Sequence, residues 1–448
     1  MTTPPQPEQP DQPEVDPEVE LTVEDAEDAL LEGDRTFAPG TARAALTYST
    51  FRTVYVGSLL SNIGSWMQNV VLGAFALELT GSSTYVSWIA FAQLGPLLLF
   101  SLAGGALADV VDRRRLLVLV SVQQLLLSLV LAWLARSSSP SLWGLVLVTF
   151  LIGVGQAIYA PTYSALLPLL VDRRDLPGAV SLNSASMNLS RVVGPAIGAV
   201  VYARFGASWV FAGNAVTYLF IIGALLMVTL PATAARASGE PTGLRRIGEG
   251  FQVARRDRVV GRCLTTMALF SFFCLPFVLH IQRLAADNLS IAPRSAAFGA
   301  LYACFGLGAV AGALSIGTFL AGHSLETIVR VGLGGFAVSL CAFGLLRNPP
   351  PAYPVALIVG FCYFATVTSL STVLQKRLDD RVRGRVMALW IMAFGGTVPI
   401  GGLVAGPIID TTSVTVVVLV GAAVAAILVP FADLRTLASD PGSPPRPA

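Results

Sequence analysis

Gln93-Leu-Gly-Pro-Leu-Leu-Leu-Phe-Ser-Leu-Ala-Gly-Gly105-Ala-Leu-Ala-Asp109-Val-Val-Asp112-Arg113-Arg114-Arg115-Leu-Leu-Val-Leu-Val120 passes from one long apolar run, through a knot of charge, straight into the next. A run of this kind belongs in a large soluble core or in a bilayer. Composition decides between them: hydrophobic residues make up 54% of the chain and charged residues 12%, and mean hydropathy is +0.69. Soluble domains carry roughly 25% charged residues. The charge is also unevenly spread, because 12 of the 27 acidic residues lie between Glu8 and Asp34.

Outward from that stretch the pattern repeats. Apolar spans fall at 52–80, 84–108, 116–135, 141–170, 178–203, 208–230, 259–282, 295–320, 326–346, 354–374, 386–409 and 413–431. Each has about the twenty residues needed to cross some 30 Å of hydrocarbon as a helix. The period-two alternation of a membrane barrel is missing. The expected fold is an all-α membrane protein of twelve transmembrane helices in two six-helix halves. Residues 49–230 and 259–431 are those halves, 231–258 a cytoplasmic linker, 1–48 an unfolded acidic tail and 432–448 a second tail.

Arginine sets the orientation. Alternate connections carry Arg113, Arg114 and Arg115; Arg173 and Arg174; Arg245, Arg246, Arg255, Arg256 and Arg258; and Lys376, Arg377, Arg381, Arg383 and Arg385. That side is expected to be cytoplasmic, with both termini. In the linker, Leu244, Ile247, Phe251 and Ala254 share a helical face, suiting either an interfacial amphipathic helix or a solvated one. The halves echo each other: Leu170-Val-Asp172-Arg-Arg-Asp-Leu-Pro-Gly178 corresponds to Arg377-Leu-Asp379-Asp-Arg-Val-Arg-Gly384. Such repeats are how many carriers build alternating access.

Gly105, Asp109, Asp112, Arg113 and Arg114, placed between the second and third spans, make the chain resemble the major facilitator superfamily. Val110 and Asp112 depart from that family's usual loop. The resemblance implies a gate in which Asp109 caps a turn or pairs across the domain interface. In the fifth span, Ser190-Arg191-Val-Val-Gly194-Pro195-Ala-Ile-Gly198 looks like the glycine-proline motif of exporters in that superfamily. Ser190, Gly194 and Gly198 share a face that suits close helix contact, and Pro195 permits a bend. Trp66-Met-Gln-Asn69, Leu79-Thr-Gly-Ser82 and Asn183 to Arg191 narrow the resemblance to the branch of enterobactin exporters, macrolide-efflux proteins and transmembrane secretion effectors. It implies a bacterial cytoplasmic-membrane exporter of a drug, siderophore or other secondary metabolite, coupled to protons and working as a monomer. A nutrient importer or a lipid scramblase on the same fold is the alternative.

Polar residues inside the spans point to a pathway, because lipid does not tolerate them. Asn62, Trp66 and Asn69 share one face of the first span, with Gln68 adjacent; Gln93 lies in the second span, Gln156, Tyr159 and Tyr163 in the fourth, and Asn188 and Arg191 in the fifth. Interhelical hydrogen bonding would explain the same amides. Arg191 is the costliest: a guanidinium this deep costs at least ~2.5 kcal/mol on insertion scales. It therefore calls for an anionic substrate, a helix C-terminus or an acid such as Asp109 or Asp112 as partner, unless it snorkels to the cytoplasmic side. The sequence has neither a phosphate-binding glycine-lysine loop nor metal-ligand spacing, and its five cysteines lie in apolar runs. No cofactor, metal, nucleic acid or catalytic residue is expected; the partners are a small molecule, protons and the bilayer.

Overall fold

The computed structural model describes residues 37–228 and 251–434; for residues 99, 101–110, 380 and 381 it describes the backbone alone. Among the described residues no strand occurs, and nine helices are long and apolar enough to cross a membrane. In the first half the helices are α1 (Ala42–Thr47), α2 (Ser49–Thr80), α3 (Ser83–Val110), α4 (Arg113–Leu134), α5 (Leu142–Leu166), α6 (Leu176–Phe205) and α7 (Ala207–Met227). In the second they are α8 (Arg258–Leu279), α9 (Ile281–Leu289), α10 (Ala296–Ser315), α11 (Leu325–Leu345), α12 (Pro349–Arg377), α13 (Val382–Thr411) and α14 (Val414–Phe431). The outer surface is apolar in the manner of a bilayer protein: Trp143, Val338 and Met227 are 74%, 73% and 81% exposed.

In the first half α2 packs on α6 and α7, α3 on α5, and α4 on α5 and α7. In the second, α10 packs on α12, α11 on α12 and α14, and α8 on α13 and α14. Two helix pairs join the halves, α3 with α13 and α6 with α10. Counting spans, these are second with eleventh and fifth with eighth. A twofold axis that exchanges the halves turns one pair into the other.

Two long helices are interrupted where single spans were expected. In α8 a π turn over Phe270–Cys274 precedes Pro276, whose missing N–H cannot continue the ladder. In α13 a second π turn covers Met392–Gly396, ending on two glycines. The linker helix is described only over 251–256, where Phe251 is exposed; Leu244 and Ile247 lie outside the described residues.

The expected unfolded tail ends earlier than position 48. Thr41 caps α1 by accepting from Ala44 N at 3.2 Å, and Ala44 and Ala45 are buried. Gly178 at the start of α6 leaves room for the Thr41 backbone that a Cβ would occupy. Gly40 N donates to Asp175 Oδ1 at 2.9 Å, and the Tyr48 hydroxyl lies 2.8 Å from both Asp172 Oδ2 and Asp175 Oδ2, so its single proton is shared. Burial, then these hydrogen bonds, push the Tyr48 hydroxyl up to about 12. A raised acid is stabilising in its protonated form, so the contribution is complete below the ordinary value of about 10 and lost only as pH rises through 12. Tyr48→Phe is expected to cost about 1 kcal/mol. The thermal unfolding midpoint should fall by the same amount at any pH in the neutral range; a midpoint equal to wild type would show that the contact is dispensable.

Candidate functional site

The glycines of the fifth span set the geometry. A Cβ on Gly194 would lie 2.7 Å from Ile63 O and from Trp66 Cβ, and one on Gly198 would lie 2.7 Å from Met67 Cγ, so α6 and α2 are in backbone contact. On its other side α6 meets α10, where a Cβ on Gly306 would lie 3.2 Å from Arg191 O. Arg191 thus stands where the halves touch. Its guanidinium carbon is 5.3 Å from the Trp66 ring centroid in α2 and 5.0 Å from that of Phe364 in α12. A stacked guanidinium recovers roughly 0.5–2 kcal/mol from each ring. Its buried Nε has no hydrogen-bond partner among the described residues. Tyr302 of α10 and Tyr363 of α12 belong to the same aromatic cluster, Tyr363 meeting Phe364 at 4.5 Å and Tyr302 meeting Phe305 at 6.0 Å. Among the described residues Arg191 thus meets neither Asp112 nor a helix end but a pair of rings, one from each half.

The other candidates divide. Trp66 joins Arg191, with Asn62 and Asn69, all partly accessible, on the same helix. Asn62 Nδ2 approaches Ser58 Oγ at 3.5 Å. Gln68 departs from expectation: it is buried and accepts from Asn214 Nδ2 at 2.9 Å, while the same amide reaches Ser128 Oγ at 3.3 Å. It ties three helices of the first half together, which is the interhelical reading of an amide in lipid. Tyr159 and Tyr163 stack at 5.8 Å and 12°, with Tyr163 in the apolar cluster around Phe51 and Leu166 rather than beside Arg191. Gln93 is partly accessible, Gln156 is exposed, and Asn188 donates to Ser184 O of its own helix at 3.0 Å.

The charged loop also differs from the expected relay. Asp112 caps α4, accepting from Arg115 N at 2.8 Å. Arg114 donates to the C-terminal carbonyls of α7, Leu225 O at 2.6 Å and Leu226 O at 2.7 Å, and Arg113 to Ala165 O at 3.2 Å. These arginines serve the ends of neighbouring helices in their own half, where a cation suits the dipole. Gly105 and Asp109 lie at that end of α3, with side chains outside the described set. Pro195 is buried within α6.

At the arginine-poor end the halves are clamped by groups that the sequence did not single out. Asp410 of α13 accepts from Ser82 Oγ at 2.7 Å, Ser83 N at 2.7 Å and Thr84 N at 2.9 Å. It is an N-cap for α3 supplied from the other half. Arg283 donates to Gly81 O at 2.7 Å, and Arg294 to Tyr202 O at 3.2 Å, with Glu78 at 3.9 Å. The Tyr202 hydroxyl in turn donates to Glu78. Ser87 Oγ donates to Gly402 O at 2.6 Å, which leaves it to accept from His280 Nε2 at 3.2 Å. Beside this clamp a cavity of about 330 Å³ is lined by Leu77, Glu78, Arg283, Asp287 and Arg294. The role of Asp410 depends on partners 326 to 328 positions away in the sequence.

A family model described as a transmembrane secretion effector matches residues 40–440. The chain is 23% identical over 362 residues to macrolide efflux protein A of Streptococcus pyogenes, covering 78% of this chain and 87% of that protein. It is 26% identical to the staphyloferrin A transporter of Staphylococcus aureus, with the same coverage. It is 27% identical to the enterobactin exporter of Escherichia coli O1:K1, covering 77% and 81%. Among solved structures it resembles the nucleoside transporter NupG (TM-score 0.68, 14% identity, 86% of this chain and 99% of that one). It also resembles a bacterial homologue of the iron transporter ferroportin in an inward-facing state (TM-score 0.67, 14% identity, 86% and 97%).

Proposed function

Because this chain belongs to the transmembrane secretion effector family of major facilitator transporters, we propose that it exports a small hydrophobic or amphipathic compound by alternating access. The cargo classes are those of its relatives, a drug or a siderophore, or another secondary metabolite. The supporting observation is the arrangement of the halves. Two symmetry-related helix pairs join them, a polar clamp fastens one end, and the partly accessible residue Arg191 stands between them. Rocking about the paired helices opens that centre first to one side of the membrane and then to the other.

In this reading twelve helices cross the bacterial cytoplasmic membrane, the arginine-rich end and both termini face the cytoplasm, and the clamp faces outward. Gly105 and Asp109 form the inner gate. The chain works as a monomer, and without a nucleotide-binding loop its drive is a proton gradient.

The test is efflux from bacterial cells stripped of their own exporters, over a panel of drugs and siderophores. Cells expressing the chain should accumulate several-fold less of at least one compound, and an uncoupler should abolish the difference. Efflux that survives the uncoupler removes proton coupling. No efflux, with purified protein moving labelled lipid between leaflets without a gradient, replaces the exporter by a scramblase.

A further inference from the structure

We infer that the space around Arg191 is a subsite for an anionic head group, a carboxylate or phenolate carried on a flat ring, and that this chain discriminates in favour of acids among small amphipathic compounds. The inference rests on the exporter reading for the direction of travel but not for the binding itself.

The guanidinium is held without being neutralised. Among the described residues no carboxylate lies within ion-pair distance of Arg191, and its buried Nε makes no hydrogen bond. The nearest contacts are faces of rings, Trp66 and Phe364. Rings fix the plane of the fork and leave its N–H edge free, the edge that pairs with two oxygens of an acid. Tyr302 and Tyr363 add phenols that make no hydrogen bond among the described residues, and both residues are buried, 8% and 7% exposed. Phenol donors in the same aromatic cluster as a guanidinium suit oxygen acceptors that carry charge.

The walls beyond are aromatic. Tyr363 stacks on Phe305 at 6.1 Å and 15° and meets Phe364 at 4.5 Å. A planar ring bearing the acid can lie against an aromatic wall of this kind. A cationic compound would meet an unshielded like charge in low dielectric.

The acids described above are committed elsewhere: Asp112 to its cap, Asp410 to α3, Glu78 to Tyr202 and Arg294. The rings around Arg191 come from α2 and α12, with α10 alongside, so the site lies between the halves and away from lipid. This favours a soluble acid over a phospholipid head group.

The experiment uses the full chain purified in a neutral detergent, with binding followed by calorimetry. Salicylate and salicylamide share a ring and differ in carboxylate against amide. Wild type should bind salicylate at least about tenfold more tightly, a difference of about 1.4 kcal/mol. Arg191→Gln should bring that ratio to about one while the thermal midpoint and elution volume stay native. Arg191→Lys should retain part of the preference, since it keeps the charge and loses the fork. If Arg191→Gln does not fold, Phe364→Leu, which removes one stacking face, should still reduce the preference.

Equal binding of the two compounds by wild type, undiminished preference in Arg191→Gln, or no binding of salicylate at all overturns the inference. So does displacement of salicylate by phosphatidylglycerol but not phosphatidylcholine, which would give the site to a lipid head group. Energy-dependent efflux of neutral compounds beside equal binding leaves the exporter standing and the inference fallen. Acid preference without efflux of any compound gives the converse.

Discussion

Asp410→Ala is expected to loosen the outer clamp and cut export severely while leaving the amount of protein in the membrane unchanged. The carboxylate accepts from Ser82 Oγ, Ser83 N and Thr84 N, so its removal strips the N-terminus of α3 of acceptors contributed by the other half. Loss of a cap costs about 1 kcal/mol, and hydrogen bonds to a charged group roughly 1.5–3 kcal/mol. A cost near 2.7 kcal/mol moves the balance between closed and open outer ends about a hundredfold. Leu77 lines the cavity beside the clamp, so a Leu77→Cys reporter reads the change. A membrane-impermeant maleimide added to intact cells should label it at least about ten times faster in the Asp410→Ala background. Asp410→Asn, which keeps one carbonyl acceptor, should fall between. Unchanged labelling and unchanged export would show that the clamp does not govern access.

Gly194→Val should be nearly as damaging, through packing. Its first side-chain carbon would arrive 2.7 Å from Ile63 O and Trp66 Cβ and 2.9 Å from Met67 N, all backbone or backbone-proximal atoms that cannot swing aside. Overpacking of this kind costs about 1–3 kcal/mol. Here it also pushes α2 away and carries the Trp66 ring off Arg191. The unfolding midpoint in detergent should drop by several degrees, and acid binding should be lost. Ser190→Ala, one turn earlier on the same face, makes a matched control, because its hydroxyl only returns to Ser186 O of its own helix at 2.8 Å. Wild-type midpoint and binding in Gly194→Val would mean that α2 and α6 are less closely coupled than their contact implies.

The large features were legible because lipid imposes them. Twenty-residue apolar runs are a consequence of the solvent and need no knowledge of neighbours. Arg191 was legible by the same logic, since a charge that deep must be answered. What answered it was not, because Trp66 and Phe364 sit in apolar runs where an aromatic ring carries no mark. Gln68 looked like pathway and proved to be an interhelical tie, as the two uses of an amide share one sequence signature. The opposite error occurs at Thr41 to Tyr48, which the acidic, Pro-rich composition of the residues before them assigns to the unfolded tail. Their stability comes from Asp172 and Asp175, more than a hundred positions away.

The two π turns have a further consequence, for how this chain lines up with others. A π turn closes over five residues where an α turn closes over four, so Phe270–Cys274 and Met392–Gly396 each hold one residue more than a straight helix would. At these two points the numbering slips by one against any relative whose helix runs unbroken, and gaps of a single residue belong there. Removing one residue from either turn should restore an ordinary helix and leave the faces on both sides in register. The same deletion anywhere else in α8 or α13 would rotate everything beyond it by roughly 100°. The two lesions would look alike in the sequence and be entirely different in the fold.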